Sequence, residues 1–319
     1  MKLKFALTLC AAAAVLGLAP TQSFAKGLIV PAYLPLTDTT DWATLASEAT
    51  VATASTNPTY KEYYVVVNSS NNGPFTTQAN WTTATGLFNP IRTNGGRIFG
   101  YVHTNADNGT NDAIFRSLSS VEADITSWVT GYSNIDGIWL DEYYPRYEIS
   151  TDTGTTASFP NGTALAPYDT TYYTLPTYAI NGAIQVNPNG GYAQLIGWIR
   201  SKYPKLKIIG NAGGWVWSDQ LNYMNLPDIT CTFEQSYTYA NDSGTWATLN
   251  QQTATGVSDY EAQLALIHGN TTDLAGAINE AISHGYSYFY TTNAVYGANV
   301  WGVIPPYFDT EVSTVAAHS

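Results

Sequence analysis

Eight short runs rich in β-branched and aromatic residues recur along the chain, and most of them are almost continuously apolar. The runs cover residues 28–34, 63–68, 97–103, 135–142, 206–211, 229–234, 263–268 and 286–293. A strand with one face in water alternates polar and apolar side chains, whereas a strand covered on both faces stays apolar. The runs therefore predict parallel strands that are buried between layers of helices.

Segments with helical spacing lie between several of these runs. Their apolar positions are Ile114, Leu118, Val121, Ile125 and Val129 after run three, Leu195, Ile196 and Ile199 before run five, and Leu274, Ile278 and Ile282 before run eight. Weaker helical patterns cover 41–52 and 83–92. Strands and helices that alternate around eight runs predict a single α/β domain, a (β/α)8 TIM barrel. A doubly wound open sheet is the alternative, although the sequence lacks the GxGxxG turn of its nucleotide-binding form.

One long connection interrupts this alternation. Residues 143–190 separate run four from the next helical segment and are rich in Thr, Tyr, Pro, Asn and Gly. Long connections of this kind in compact domains are usually lids or binding loops. We expect this Tyr-rich loop to border a binding site on the upper face of the barrel, and an insertion without a role is the alternative.

The first 25 residues have the three parts of a secretory signal. Lys2 and Lys4 precede an apolar stretch, 5–18, that is too short to span a bilayer, and Ser23 and Ala25 have the small side chains of a cleavage site. We expect cleavage after Ala25, secretion to the extracellular space or periplasm, and a barrel domain over 26–319. No later apolar run is long enough for a membrane helix.

The charge balance narrows the classes of partner. The chain has 24 acidic and 12 basic residues, a formal net charge of −12. Such a surface repels nucleic acids and anionic lipids, so we expect neither nucleic acid nor membrane as a partner. Cys231 is the only cysteine after residue 25, and the four histidines follow no HExxH spacing. We therefore predict no disulfide, no metal and no cofactor, and we expect a monomer.

Acidic residues are scarce in this chain, yet three of them lie where apolar runs end. Asp141 and Glu142 close run four, and Glu234 closes run six. The carboxyl ends of barrel strands meet at the face that holds the active site. Neighbouring residues on a strand point to opposite faces, so only one of Asp141 and Glu142 points into the barrel mouth unless the strand ends between them.

Runs four and six are two strands apart, roughly 9 to 10 Å at about 4.8 Å per step. Side chains that lean inward bring their carboxyl groups into the roughly 5 to 9 Å range over which paired carboxylates cleave glycosidic bonds. One carboxyl then donates a proton to the leaving oxygen while the other attacks or activates water. The alternative is that these acids cap loops or pair with Arg92, Arg97 or Arg146.

Other polar and aromatic residues near the run ends are candidates for substrate binding, because aromatic rings stack on the apolar faces of sugars and amides bond their hydroxyls. The candidates are Tyr33, Asn68, His103, Tyr143, Asn211, Trp215, Tyr237 and Asn293. His103 is also a candidate for orienting a carboxylate. We interpret His268 as a histidine that bonds a sugar hydroxyl or a backbone carbonyl, and Trp139, in the middle of its run, as a core residue.

Six segments in this order resemble the spherulin-4-like family, whose members include glycoside hydrolase family 135. The segments read LIVPAYL, VVVNSSNNGP, IFGYVHTN, IDGIWLDE, IIGNAG and FEQSY. The resemblance covers nearly all of 26–319. It implies a (β/α)8 barrel, secretion, and endo-acting cleavage of α-1,4-linked N-acetylgalactosamine in a galactosaminogalactan-type exopolysaccharide. It also implies functional acids at Asp141, Glu142 and Glu234.

The chain departs from the family pattern in the Tyr-rich loop 143–190 and in the residues SSNN before Gly73. An acidic cleft suits a partly deacetylated, cationic polymer. The resulting hypothesis is a retaining hydrolase with Asp141 as nucleophile, Glu234 as general acid and base, and Glu142 positioning or tuning one of them. The alternatives are a secreted carbohydrate-binding or cell-surface barrel without catalysis, and an acidic metal-binding barrel.

Overall fold

The computed structural model describes most of the barrel. The described residues are 27–54, 62–69, 72–107, 113–115, 118–143, 179–180, 183–184, 191–211, 226–240, 263–271, 273–295 and 299–317. The predicted signal segment, most of the predicted loop 143–190 and Trp215 lie outside them.

Eight parallel strands close into a barrel, in which every strand pairs with its neighbours in chain order and the first pairs with the last. The barrel strands are β1 (Gly27–Ala32), β2 (Glu62–Val67), β3 (Arg97–His103), β6 (Gly137–Asp141), β9 (Lys207–Asn211), β10 (Ile229–Ser236), β11 (Gln263–His268) and β12 (Tyr288–Thr291). Leu28 of β1 lies in register with Tyr63 of β2 and with Phe289 of β12. The predicted (β/α)8 barrel is therefore confirmed, and the open sheet is excluded because the described sheet has no edge.

Two antiparallel hairpins lie outside the barrel. They pair β4 (Asn105–Asp107) with β5 (Ala113–Phe115), and β7 (Ala179–Ile180) with β8 (Ala183–Ile184). Ile114, which the spacing assigned to a helix, lies in β5. The prediction for Ile114 was wrong. Its spacing to the next helix equals that of one helical turn, although the residue itself lies in a short hairpin.

The helices cover the outside of the barrel. They are α1 (Thr39–Thr53), α2 (Gln78–Thr93), α3 (Leu118–Gly131), α4 (Gly191–Lys202), α5 (Tyr237–Ala240), α6 (Leu274–Ser283) and α7 (Phe308–Ala317). Asp38, Thr77 and Asp273 cap the starts of α1, α2 and α6 by accepting a hydrogen bond from a backbone N–H three residues on. Among the described residues, no helix has both the length and the apolarity needed to cross a membrane.

The strands are apolar because both of their faces are covered. Every residue of β1 and of β11 is buried. In β2, Val65, Val66 and Val67 have no solvent exposure. Helices cover the outer side chains and the barrel interior takes the inner ones, which explains why these strands lack the alternation of a half-solvated sheet.

Polar side chains bridge the interior at the amino-terminal end of the strands. The Lys207 Nζ donates to Glu62 Oε1 at 2.9 Å and to the Tyr64 hydroxyl at 2.6 Å. The Tyr288 hydroxyl donates to the other oxygen of Glu62. Because Glu62 lies on β2 and Lys207 on β9, this ion pair spans the barrel and closes the end opposite the candidate site.

Two aspartates at the same end of the barrel each bond the backbone of a neighbouring strand. Asp136, before β6, accepts a hydrogen bond from the backbone N–H of Ile98 at 2.9 Å, and Asp228, before β10, accepts one from Ile208 at 2.8 Å. Arg92 forms a bidentate pair with Asp136 at 2.9 Å for both bonds. These bonds fix the register in which β6 and β10 enter the sheet, and so the height at which their carboxyl ends emerge.

Candidate active site

Asp141 ends β6 at the carboxyl face of the barrel, and three side chains donate to it. The Tyr101 hydroxyl donates to Oδ2 at 2.6 Å, while Asn211 Nδ2 and Trp139 Nε1 donate to Oδ1 at 2.7 and 3.2 Å. Burial raises the pKa of Asp141, and the nearby charge of Glu142 adds to that rise, while the three donors oppose it. Asp141 therefore lies in a partly desolvated site, where three donors stabilise its ionised form.

Tyr101 is held in place by the packing of α3 on β3. The preceding residue, Gly100, lies so close to Trp128 that an added Cβ would come within 2.4 Å of the indole ring. The Trp128 Nε1 donates to the backbone carbonyl of Tyr101 at 2.8 Å. Only glycine allows this approach, and the approach anchors the strand end from which Tyr101 reaches Asp141.

Glu234 enters the same site from β10. Asn211 Nδ2 donates to its Oε2 at 2.8 Å, and Trp301 Nε1 donates to its Oε1 at 3.2 Å. Burial and the charge of Asp141 raise the pKa of Glu234 to about 7, against the opposing effect of the two donors. Glu234 therefore holds a proton near neutral pH that an ordinary glutamate would have lost.

The amide nitrogen of Asn211 joins the two acids. Its two hydrogens go to Asp141 Oδ1 at 2.7 Å and to Glu234 Oε2 at 2.8 Å. Since both oxygens lie on one nitrogen, they are no more than about 5.5 Å apart. Asn211, which the sequence assigned to substrate binding, thus holds the acids at a set distance, and it is 3% exposed.

Glu142 leaves the strand in a left-handed backbone conformation, with φ of 50°. The strand therefore ends between Asp141 and Glu142, which is the condition under which both carboxyl groups reach the same rim. Glu142 Oε2 lies 3.2 Å from His103 Nε2 at the end of β3. Its side chain is 36% exposed, so solvent reaches this carboxyl group at the rim.

A buried pair of hydroxyls stabilises this turn. Thr104 Oγ1 donates to the backbone carbonyls of Asp141 and Glu142 at 2.7 and 3.0 Å, and the Tyr192 hydroxyl bonds the Glu142 carbonyl at 3.0 Å. Thr104 and Tyr192 also bond each other at 2.8 Å. A left-handed glutamate is strained, and these contacts offset the strain.

The described arginines do not neutralise the three acids. Arg92 pairs with Asp136, and the Arg97 guanidinium lies 6.0 Å from the centre of the Tyr64 ring. Arg146 lies outside the described residues. The alternative in which Arg92 or Arg97 pairs with the site acids is therefore not what the structure contains. Among the described residues, no group of three or more His, Cys, Asp or Glu side chains has the arrangement of a metal site.

Tyr33 and Asn68 line a cleft of about 390 Å³ that opens beside the acids. Tyr33 packs edge-on against Tyr101 with ring centres 5.3 Å apart. Burial, then the charge of Asp141, raises the pKa of Tyr33 well above its ordinary value, which keeps its hydroxyl protonated. Tyr33 and Tyr101 form the wall between this cleft and Asp141.

The other predicted binding residues are spread around the rim. Tyr237 begins α5 and is partly buried, and Asn293 is half-buried beyond the end of β12. Tyr143 is 1% exposed, packs on Tyr192 with ring centres 4.3 Å apart, and donates its backbone N–H to the Asn211 carbonyl. Its ring therefore packs beneath the turn and offers no open face to a sugar.

Sequence reasoning missed two donors to the acids, Tyr101 and Trp301, and interpreted a third, Trp139, as core only. The signal for Tyr101 and Trp139 was present, because each lies two residues before a strand-end candidate and so points to the same face. Trp301 had no such signal. It contacts His268 edge-on at 6.4 Å and reaches Glu234 across 67 residues of sequence.

The comparisons with known proteins agree with this barrel. The sequence profile of the spherulation-specific family 4 matches residues 27–315. The chain belongs to this family. Its fold is similar to that of Sph3 from Aspergillus clavatus, solved in complex with GalNAc, with a TM-score of 0.58 and 17% identity over 92% of this chain and 99% of Sph3. No curated protein matches the chain in sequence.

A more distant likeness extends to a xyloglucan-specific GH5 endo-β-1,4-glucanase from a metagenomic library, solved with cellotriose. Its TM-score is 0.46 at 10% identity, over 94% of this chain and 97% of that one. At 17% identity, the likeness to Sph3 shows the barrel fold alone, because one fold hosts many chemistries.

Proposed function

We propose that this protein is a glycoside hydrolase that cleaves its substrate with retention of configuration, using Asp141 as nucleophile and Glu234 as general acid and base. The single observation that carries the proposal is the shared amide of Asn211. It bonds one oxygen of each carboxyl group, so these two oxygens lie within about 5.5 Å of each other, closer than the roughly 6.5 to 9.5 Å between the carboxyl groups of inverting enzymes.

The two acids have environments that suit different roles. Glu234 has a pKa of about 7 and so carries a proton for the leaving oxygen near neutral pH. Burial raises the pKa of Asp141, and its three donors oppose that rise by stabilising the ionised form. An ionised nucleophile beside a protonated acid is the pairing that the first step of glycoside hydrolysis requires.

The reaction then has two steps. Asp141 attacks the anomeric carbon while Glu234 gives its proton to the leaving glycosidic oxygen, so that a glycosyl ester forms and the downstream sugar departs. Glu234, now ionised, takes a proton from water, and the hydroxide adds to the anomeric carbon as the ester bond to Asp141 breaks. Glu142 and His103, paired at the rim, orient the sugar or tune the charge of Asp141.

The family and the bound sugar of its relative support a substrate class. Sph3 was solved with GalNAc. We therefore include in the proposal endo-acting cleavage of α-1,4-linked N-acetylgalactosamine in a galactosaminogalactan-type exopolysaccharide. The basic and apolar segment 1–25 supports secretion with cleavage after Ala25, and we propose a monomer.

The test is product release from purified galactosaminogalactan and from a panel of other amino-sugar polymers. The wild type is compared with Asp141→Asn and Glu234→Gln, both confirmed as folded by circular dichroism. We expect oligosaccharides from the wild type and a loss of at least about a thousandfold in either variant. Proton NMR of the first anomer released reports retention or inversion.

Three results would contradict the proposal. Binding of a polymer without product from the wild type would assign the barrel to carbohydrate binding without catalysis. An inverted first product would keep the hydrolase but remove Asp141 as nucleophile. Activity of Asp141→Asn near that of the wild type would do the same.

A further inference from the structure

An indole N–H reaches Glu234 from a loop outside the barrel strands. Trp301 lies between β12 and α7, and its Nε1 donates to Glu234 Oε1 at 3.2 Å. Asn211 Nδ2 donates to the other oxygen, Oε2, at 2.8 Å. The terminal torsion of a glutamate side chain is broad when nothing restricts it. Two donors that come from different elements and bond different oxygens therefore fix the plane of this carboxyl group.

The two donors also limit where the proton of Glu234 can go. An indole N–H and an amide N–H donate hydrogen bonds and cannot accept them. When Glu234 is protonated, neither the Nε1 of Trp301 nor the Nδ2 of Asn211 can accept from its O–H. The proton therefore remains available to another acceptor, such as the leaving oxygen of a bound sugar.

The packing around Trp301 leaves its indole little freedom. Trp301 is 6% exposed. Its ring packs against Tyr290 of β12 with ring centres 5.8 Å apart, and against the ring of His268, at the end of β11, with centres 6.4 Å apart. The indole is therefore held by two strands, while its N–H reaches Glu234 on the next one, β10.

Backbone hydrogen bonds fix the loop that carries Trp301. The carbonyl of Trp301 accepts from the N–H of Tyr33, directly after β1, at 2.9 Å. The Gly302 N–H donates to the Asn299 carbonyl at 3.0 Å, and the Ile304 N–H donates to Asp41 Oδ2 of α1 at 3.2 Å. Because the backbone is bonded at the tryptophan and on its carboxyl side, the height of the indole above Glu234 is set by the fold.

We propose that Trp301 is a positioning residue for the general acid, which holds the carboxyl group of Glu234 in the orientation that presents its proton to the leaving oxygen. The inference rests on the proposed function and adds a residue to its machinery. A misplacement of about 1 Å can cost about a hundredfold in rate, so a donor that fixes a carboxyl plane supports turnover without touching the sugar. The alternative is an indole that only fills space beside His268 and Tyr290, in which case its N–H is dispensable.

The titratable groups around Glu234 determine what a change of pH reports. They are Asp141, Glu142, Tyr33, Tyr101 and Cys231. Burial raises the pKa of the two tyrosines and of the cysteine, which keeps these three groups neutral. Burial lowers the pKa of His268, so the ring beside Trp301 is neutral as well. A titration near neutral pH at the indole therefore reports the carboxyl groups of the site.

Nuclear magnetic resonance of isotope-labelled tryptophan tests the contact without turnover. The Nε1–H signal of Trp301, assigned from its contacts with His268 and Tyr290, should titrate with a midpoint near the pKa of Glu234, about 7. In Glu234→Gln this step should be absent. Trp42 is the internal control, because its Nε1 donates to the Pro35 carbonyl and not to a carboxylate. A Trp301 signal that does not titrate, or that keeps its step in Glu234→Gln, would overturn the proposal.

Kinetics of Trp301→Phe test the role in turnover, because this change keeps an aromatic ring and removes the N–H. We expect kcat on galactosaminogalactan to fall about tenfold and KM to change by less than about twofold. The alkaline limb of kcat/KM should move to higher pH, because a donor that lowers the pKa of Glu234 is lost. Trp198→Phe makes the same change on α4, where the ring packs on Tyr203, and should leave all three quantities unchanged.

Three kinetic results would overturn the positioning role. They are an alkaline limb that does not move in Trp301→Phe, a higher KM with unchanged kcat, and an equal loss of kcat in Trp198→Phe. Circular dichroism confirms that both variants are folded. Product release by the wild type is measured separately, and the titration of the Trp301 signal needs no turnover, so failure of the positioning role and failure of the hydrolase are distinguished.

Discussion

The Tyr101 hydroxyl lies 2.6 Å from Asp141 Oδ2 and donates to it, from the neighbouring strand of the barrel. Tyr101→Phe removes this donor and keeps the ring that packs against Tyr33. We expect kcat to fall roughly tenfold to a hundredfold, because a hydrogen bond to a charged group contributes about 1.5 to 3 kcal/mol. Steady-state kinetics with a thermal unfolding control measure this. An unchanged kcat would show that the Tyr101 hydroxyl does not support the proposed nucleophile, Asp141.

The pH profile distinguishes the two acids. In the proposed mechanism Glu234, with a pKa of about 7, is protonated for the first step, so kcat/KM should decline as the pH rises through about 7. Asn211→Ala removes a donor that lowers the pKa of both acids, so both limbs of the profile should move to higher pH. Tyr101→Phe should move the acidic limb alone. Profiles of kcat/KM from pH 3 to 10 check this, and an alkaline limb unaffected by Asn211→Ala would contradict it.

The left-handed backbone at Glu142 predicts that this position tolerates glycine better than alanine. Glycine adopts φ of 50° without strain and alanine does not, so Glu142→Gly should be about 1 kcal/mol more stable than Glu142→Ala. Both substitutions remove the carboxylate that pairs with His103 and should lower activity alike. Chemical denaturation gives the free energies of unfolding. Equal stabilities would show that Thr104 and Tyr192 do not hold a strained turn.

Glu311 of α7 is a fully buried carboxyl whose stability effect depends on pH. Its Oε1 accepts from the Thr291 N–H at 2.6 Å, and its Oε2 has no hydrogen-bond partner among the described residues. Burial raises its pKa well above the ordinary value. The folded state then binds the proton more tightly than the unfolded state. The free energy of unfolding therefore falls as the pH rises from the unfolded pKa of Glu311 through its folded pKa.

Glu311→Gln keeps an acceptor for Thr291 and removes the cost of ionisation. It should raise the free energy of unfolding by about 1 to 3 kcal/mol near pH 8, with a smaller gain at pH 4, where the carboxyl is protonated in both states. Urea denaturation at the two pH values measures the difference. An equal gain in the free energy of unfolding at both pH values would mean that folding does not raise the pKa of Glu311.

Glu62, at the closed end of the barrel, should show the opposite slope. Burial alone would raise its pKa, but hydrogen bonds from Tyr288 and Lys207 outweigh burial and lower it. The stabilisation that ionised Glu62 gives the folded state is therefore present above its unfolded pKa. It is lost as the pH falls through its folded pKa. Glu62→Gln should cost about 1 to 3 kcal/mol at pH 7 and less at pH 3. The same denaturation series tests this beside Glu311→Gln, and parallel slopes for the two variants would be inconsistent with it.

The sequence alone predicted the barrel and the positions of its acids. Strands covered on both faces have to be apolar along their whole length, so eight such runs separated by helical segments leave few other architectures. Parallel strands in a barrel all end at one face, so Asp141 and Glu234 were candidates from their position at the ends of apolar runs. Both inferences depend on the local pattern of apolar residues and on the rule that parallel strands of a barrel end at one face. One sequence is therefore enough to make them.

The roles of individual side chains were decided only by the tertiary structure. That Asn211 donates to both Asp141 and Glu234 depends on the register of β9 between its two neighbours, to within one hydrogen bond. That Trp301 reaches Glu234, and that Glu142 turns left-handed under Thr104, depends on segments distant in sequence. Hydrogen bonds have strict distance and angle requirements, whereas apolar burial does not, so a pattern of hydrophobicity predicts which residues meet and only the packed structure decides which atoms bond.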